Sequence, residues 1–304
     1  MRAFYSDHFV LPLPEGHKFP MAKYWKLRER ILAEGILAAA DLHEAPAAEW
    51  SDLELVHDPN YLEAVRSGEV PGDIQRRIGF PWSPQMMERS RRSVGATIAA
   101  ARAALDDGAA ANLAGGTHHA FADRGEGFCV FNDVAVAARV LQREHLARRI
   151  AIVDLDVHQG NGTAAIFNGD ASVFTFSMHG EKNFPFKKET SDLDVALPGT
   201  NDKAYLALLR VHLDEVLNRH QPDFVFYLAG ADPYEGDRLG RLKLTIDGLR
   251  TRDEIVLSTL STAGLPVALS MSGGYATDVD AIVTIHSNTI RTATRQQWPS
   301  ISAY

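Results

Sequence analysis

Short apolar, β-branched runs alternate along this chain with longer amphipathic stretches. The runs at residues 150–155, 172–177, 224–229 and 267–271 are apolar on both faces, the pattern of strands buried inside a parallel sheet. A weaker apolar run covers 109–114. Between them, residues 87–105, 133–146, 205–220, 248–262 and roughly 278–292 read as amphipathic helices. The order strand, helix, strand predicts right-handed crossovers and an α/β fold, a mainly parallel central sheet with helices on both faces. No internal repeat, low-complexity tract or flexible linker interrupts the pattern, so one domain is expected over residues 1–304. The N-terminal third is less regular. Segments 11–20 and 68–84, rich in Pro and Gly, read as long loops of the kind that wall pockets.

With 45% of its 304 residues hydrophobic, the chain can bury a large core. A formal net charge of −8 speaks against a general nucleic-acid binder. No apolar stretch reaches the length of a membrane span, and Asp7 and His8 stand where a secretory signal would be apolar. The single cysteine, Cys129, excludes an internal disulfide and fits a reducing compartment. A cytoplasmic protein with neither nucleic acid nor membrane as partner is expected; the sequence leaves the oligomeric state open.

Chemistry gathers just after the apolar runs. Residues 150–155 lead into Asp154-Leu155-Asp156-Val157-His158-Gln159-Gly160-Asn161-Gly162, and 224–229 into Gly230-Ala231-Asp232. Residues 267–271 lead into Ser272-Gly273-Gly274-Tyr275, and 109–114 into Gly115-Gly116-Thr117-His118-His119. Ligands of open parallel sheets bind at the carboxyl ends of strands, so these four ends are expected to converge on one crevice. Asp156 and His158, two apart on an extended segment, can face one ion, with Asp232 as a third ligand. Three protein ligands with a position left open is the catalytic zinc arrangement, and a two-carboxylate, one-imidazole set also suits Fe(II) or Mn(II). His118 and His119 could both turn toward the pocket from a glycine-preceded loop. Tyr275, after two glycines, could donate to a developing oxyanion.

These stretches, together with Gly127-Phe128-Cys129-Val130-Phe131-Asn132-Asp133, Ser177-Met178-His179 and Glu235-Gly236-Asp237-Arg238-Leu239-Gly240, resemble the histone deacetylase family. That family includes the acetylpolyamine amidohydrolases and has the arginase-like α/β fold. The Ser-Gly-Gly-Tyr form and segment 235–240 look most like its class IV branch and bacterial relatives. The resemblance implies a zinc-dependent lysine deacetylase or deacylase acting on acyl-lysine in peptides or proteins. Asp156, His158 and Asp232 match its zinc ligands, His118 and His119 its histidine pair, and Asp154 the carboxylate partner of His118. Tyr275 matches the residue that polarises the acyl carbonyl. Gly127 and Phe128 match walls of a narrow tunnel, which Gly273, Gly274 and Leu239 are expected to line as well, with His17 and Phe19 as further candidates. The family also binds structural K⁺ or Na⁺. Asp154, Asp156, His158, Ser177 and Met178 match one such site, and Phe167 and Val173 fall at the second.

By the same resemblance His119 is the general base, and Cys129 is a wall residue. Asn161 stands where many members carry a second aspartate, which lowers the expected basicity of His119. Leu239 stands where the polyamine enzymes place an acidic gate, which favours lysine in a peptide. A resemblance to class IV also raises acyl chains longer than acetyl, if the foot of the tunnel is roomy. The rivals are an acetylpolyamine amidohydrolase, an arginase-like ureohydrolase with a second metal site, and an inactive acyl-lysine reader.

Overall fold

In the computed structural model, which describes residues 1–298, eight strands form one sheet in which every pairing is parallel. The strands are β1 (Ala3–Tyr5), β2 (Leu42–Glu44), β3 (Ala109–Asn112), β4 (Ile150–Asp154), β5 (Val173–Gly180), β6 (Leu193–Leu197), β7 (Phe224–Leu228) and β8 (Val267–Ser270). Their order across the sheet is β2-β1-β3-β8-β7-β4-β5-β6. The helices are α1 (Ala22–Ala33), α2 (Trp50–Leu53), α3 (Pro59–Ser67), α4 (Gly72–Ile78), α5 (Pro84–Asp107), α6 (Asp133–Arg143), α7 (Asn161–Phe167), α8 (Asp202–His220), α9 (Ile246–Thr262) and α10 (Val279–Arg295). None of them is long and apolar enough to cross a membrane.

The double-sided apolar pattern of the central strands is used as its period dictates. Successive side chains point to opposite faces. Ile150, Ile152, Phe224, Phe226 and Leu228 pack into one core with residues of α5 and α6. Ala151, Val153, Val225 and Tyr227 pack into the other with α1, α8, α9 and α10. Several helices begin at side-chain caps that satisfy free N–H groups, among them Asn132 for α6, Asn201 for α8, Thr245 for α9 and Asp278 for α10.

The elements that the pattern did not announce are strands β1, β2 and β6 and helices α1, α2, α3, α4 and α7. Strands β1 and β2 have three residues each, too few for a period to show. Strand β6 is an edge strand whose exposure alternates, so it lacks an apolar run. Segment 68–84, expected as loop, contains α4: Pro71 and Gly79, which read as breakers, are its two caps. Segment 11–20 is loop throughout.

One consequence governs the rest. The strands β3, β8, β7 and β4 are consecutive neighbours and all parallel, so the four loops that carry the chemistry leave one edge side by side.

Candidate active site

Strand β4 ends at Asp154, and the chain continues as a loop that carries Asp156 and His158. Asp232 arrives from the loop after β7. Asp156, His158 and Asp232 are all buried, and one donor atom from each lies within 4.8 Å of the others. His158 Nδ1 is 3.0 Å from Asp156 Oδ1 and 3.1 Å from Asp232 Oδ2. Neighbouring N–H and O–H donors occupy the other oxygen of each carboxylate. Ser272 Oγ and the Gly273 N–H donate to Asp156 Oδ2 at 2.7 and 2.8 Å, and the Val157 N–H donates to Asp232 Oδ1 at 3.0 Å. Gly273 is required by proximity, because a Cβ there would run into the Asp232 carboxylate.

Two carboxylates fully out of water draw a positive charge toward them. Burial and the nearby Asp156 raise the Asp232 carboxyl to about 7. Burial would lower His158, but its bonds to Asp156 and Asp232 override that and raise it to about 10. Among the described residues no lysine or arginine donates to either carboxylate. A buried set of two oxygens and one nitrogen, drawing cationic charge and already oriented by backbone N–H groups, fits a divalent cation.

The histidine pair sits on the loop after β3. Asp133, at the start of α6, accepts from the Gly116 and Thr117 N–H groups at 2.9 and 2.7 Å and from Thr117 Oγ1 at 2.8 Å, fixing the loop just before the histidines. His118 Nδ1 lies 2.6 Å from Asp154 Oδ2, and His119 Nδ1 lies 2.6 Å from Asn161 Oδ1. The two rings are 4.2 Å apart and oppositely tuned. Burial opposes charge on His118, yet Asp154 and Asp156 raise it to about 9. His119 is pushed well below its ordinary value by burial and by the adjacent His118 and His158, with only the neutral Asn161 opposing. The same surroundings thus push the two rings in opposite directions, His118 toward the imidazolium and His119 toward the free base. Since Asn161 offers an oxygen to Nδ1, the proton of neutral His119 sits there and Nε2 is free to accept another.

Tyr275 is nine-tenths buried, and burial next to Asp156 and Asp232 drives its hydroxyl well above the ordinary value, so it remains a donor. Burial likewise pushes the Cys129 thiol up, which leaves no thiolate for nucleophilic attack.

Above the cluster a cavity of about 640 Å³ opens to solvent, and His119, Gly127, Phe128, His158, Leu239 and Tyr275 are among its walls. A Cβ on Gly127 would come within 2.6 Å of the His119 ring, so glycine is what lets this wall close on the histidine. Below, Phe19, Tyr24, Gly273 and Cys129 help to enclose a second space of about 40 Å³. Gly274 lies in the same loop, with its carbonyl toward the buried Lys23 ammonium.

The residues named from the sequence meet at this edge, with partial departures. Asp156 and His158 lie just after β4 on a bent loop and not on an extended segment. His17 packs behind Phe128 and Phe80 and is absent from both cavity walls, whereas Phe19 lines the deeper one. Ser177 and Met178 lie on β5, Ser177 in register with Asp154, and Phe167 and Val173 flank the turn from α7 into β5, all buried. Several supports escaped notice. Asp133, Ser272 and Asp237 act through hydrogen bonds to backbone or carboxylate. The fully buried Arg252 donates to the Leu155 and Gly230 carbonyls at 3.4 and 2.7 Å, tying together from behind the two loops that carry the triad. Phe184 stacks edge-on to His119 at 4.9 Å. Asp133, Ser272 and Asp237 left a signal, as polar residues inside the motif stretches; Arg252 and Phe184 left none.

An all-parallel sheet that presents a tuned histidine pair, a three-donor cluster and a buried tyrosine at one edge defines an arginase-like α/β protein with a hydrolytic site. A histone deacetylase domain model matches residues 17–290. An uncharacterised protein of Picosynechococcus sp. is 49% identical, covering 93% of this chain and 95% of its own. Histone deacetylase 2 of Arabidopsis thaliana is 32% identical, covering 88% of this chain and 72% of its own. The crystal structure of a histone deacetylase homologue complexed with SAHA matches with a TM-score of 0.83 at 26% identity, over 98% of this chain and 85% of that one. The chain belongs to the histone deacetylase family and is a hydrolase of that family.

Proposed function

We propose that this chain, acting as one catalytic domain over residues 1–304, hydrolyses the amide of N-acyl-lysine side chains in peptides or proteins. The observation that carries this reading is a two-part funnel: an open cavity of about 640 Å³ shares His119, Gly127, Phe128, His158 and Tyr275 with a smaller space of about 40 Å³ that Asp156 helps to line. An acylated side chain that enters through the open cavity would meet these groups.

Asp156, His158 and Asp232 would hold zinc, with Fe²⁺ as the competing ion for this donor set. When bound, the ion supplies Lewis-acid polarisation of the acyl carbonyl and acidifies water. His119, neutral and with Nε2 free, takes the proton of the attacking water and returns one to the departing lysine amine. His118 is held in orientation beside His119 by its Nδ1 bond to Asp154. The Tyr275 hydroxyl donates to the developing oxyanion. Phe128 and Phe19 exclude water and align the amide. The space below holds roughly three waters' worth of volume, which suits an acetyl group better than a long acyl chain. We further assign Asp154, Asp156, His158, Ser177 and Met178 to one structural K⁺ or Na⁺ site, with Phe167 and Val173 at a second. A cytoplasmic location suits the free, buried Cys129.

The polyamine alternative is disfavoured by the walls: Leu239 is apolar, and the mouth carries Arg77, Lys182, Arg238 and Arg241 against the single carboxylate of Glu126. The test is turnover of lysine peptides bearing acyl groups from acetyl to myristoyl, beside acetylspermidine, with metal content measured in parallel. The acetyl-lysine peptide is expected to lead. Acetylspermidine outrunning every peptide would overturn the substrate, and no turnover by metal-loaded protein would overturn the activity.

A further inference from the structure

The rim of the funnel has the opposite sign to the rest of the chain. The protein carries a net −8, yet four basic side chains line the mouth with one acid among them. Arg238 is spoken for, since it donates to the Tyr275 and Lys18 carbonyls at 2.7 and 2.9 Å. The other three are exposed and available. Arg77 has only a loose contact with Glu126 at 3.9 Å, and among the described residues Lys182 and Arg241 have no ion-pair partner. They come from three separate segments: the end of α4, the loop after β5, and the loop after β7. Phe186 stands among them 86% exposed, an aromatic contact with nothing yet on it.

Resting on the deacylase reading above, we propose that this rim selects acyl-lysine flanked by acidic residues, with Arg77, Lys182 and Arg241 receiving the flanking carboxylates and Phe186 the peptide backbone or an apolar neighbour. The charges lie at the mouth and not at the foot, so they read what surrounds the lysine and not the acyl group. Cations held apart by three segments match an extended peptide that runs across the opening, with the acyl-lysine entering between its flanking side chains. Unpaired like charges at a mouth also raise the local concentration of an anionic partner and its rate of encounter.

The test compares three acetyl-lysine peptides of one length, flanked by Asp and Glu, by Gln, or by Lys and Arg. With the metal-loaded full chain at low salt, kcat/KM for the acidic peptide should exceed that for the basic one by about tenfold or more. Near 1 M salt, where the screening length is about 3 Å, the ratio should fall toward one. Replacing Arg77, Lys182 and Arg241 together by Glu should invert it, and Lys182→Glu alone, at an exposed position, should reduce it. Equal rates for acidic and basic peptides at low salt, or a ratio that the charge reversal does not move, would overturn the proposal. Fluorescence anisotropy of the same labelled peptides separates the two readings. If no peptide is hydrolysed, including the Gln-flanked one, the deacylase reading fails, while tighter binding of the acidic peptide still supports the rim and equal binding sinks it.

Discussion

The Asp237 carboxylate accepts the backbone N–H of Tyr275 at 2.6 Å, while Arg238, the next residue, donates to the Tyr275 carbonyl. The tyrosine is thus gripped on both sides of its Cα by one short segment, and the same Asp237 carboxylate also accepts from the Leu239 and Gly240 N–H groups. Its phenol, kept protonated by burial, is aimed by a loop that cannot drift. Tyr275→Phe should therefore lower kcat by about 10²–10³-fold, the usual loss for one oxyanion donor, with KM and metal content little changed. Asp237→Ala should approach the same defect although the phenol is intact, because misplacing a catalytic group by about 1 Å costs up to 10²-fold. Steady-state kinetics on the two variants checks this, and a Tyr275→Phe enzyme within threefold of the parent would show that the ring only packs.

The donor cluster makes a second expectation specific. Asp156→Ala or Asp232→Ala removes one of three donors and should abolish both stoichiometric metal and turnover. Gly273→Ala adds only a methyl group, but that carbon would enter the space of the Asp232 carboxylate and crowd that of Asp156. It should lose metal nearly as completely as the aspartate variants while remaining folded. Metal analysis after dialysis decides it; full metal occupancy in all three would remove these residues from the ligand set.

How far this site was legible follows from what kind of signal each residue leaves. The clustered acids, the histidine pair and Tyr275 announce themselves because chemistry-bearing residues after apolar runs must surface at strand ends. The all-parallel sheet then does the rest: β3, β8, β7 and β4 turn four separate motifs into one edge. Arg252 left no such mark. It lies inside α9, where an arginine normally reads as a solvated face, and only the fold shows it fully buried against the Leu155 and Gly230 carbonyls. The basic rim was equally invisible, since Arg77, Lys182 and Arg241 are far apart in sequence and meet only through loop packing. The short strands β1 and β2 are held by their neighbours more than by their own pattern.

The pairing of His119 with an amide carries a pH dependence. Asn161 Oδ1 fixes the ring at 2.6 Å but adds no charge, and burial holds the imidazole well below its ordinary value. Asn161→Asp would place a negative charge there, favour the imidazolium and raise the pKa by about one unit or more. The base acts when neutral, so the acidic limb of kcat/KM should move to higher pH. Glu126 Oε1 lies 3.5 Å from the Asn161 amide and would oppose ionisation of the new acid, so the larger shift is expected in Asn161→Asp combined with Glu126→Gln. An unmoved limb in both variants, with metal still bound, would mean that His119 is not the base.

Stability should carry its own pH signature, set away from the reacting groups by His57. This ring is buried between Tyr61 and Phe131. Its Nε2 accepts the Asn132 N–H at 3.0 Å, so the Nδ1 proton donates to the Phe121 carbonyl, also at 3.0 Å. Both nitrogens are used by the neutral tautomer, and the Asn132 bond leaves no place for a second proton. Burial lowers His57 from 6.5 to about 4. Between those values the unfolded chain binds the proton and the folded chain does not, so stability rises with pH across that window. The contribution is complete above about pH 6.5 and is lost progressively as pH falls toward 4. A gap of about 2.5 units corresponds to ~3 kcal/mol. His57→Gln should be less stable at pH 7, yet its unfolding free energy should fall less steeply between pH 7 and 4 than that of the parent, by up to that amount. Urea unfolding of both proteins at several pH values measures the difference between slopes, in which the other buried histidines cancel. Parallel curves would mean that His57 is protonated alike in both states, and that the Asn132 bond at the start of α6 does not depend on its neutral form.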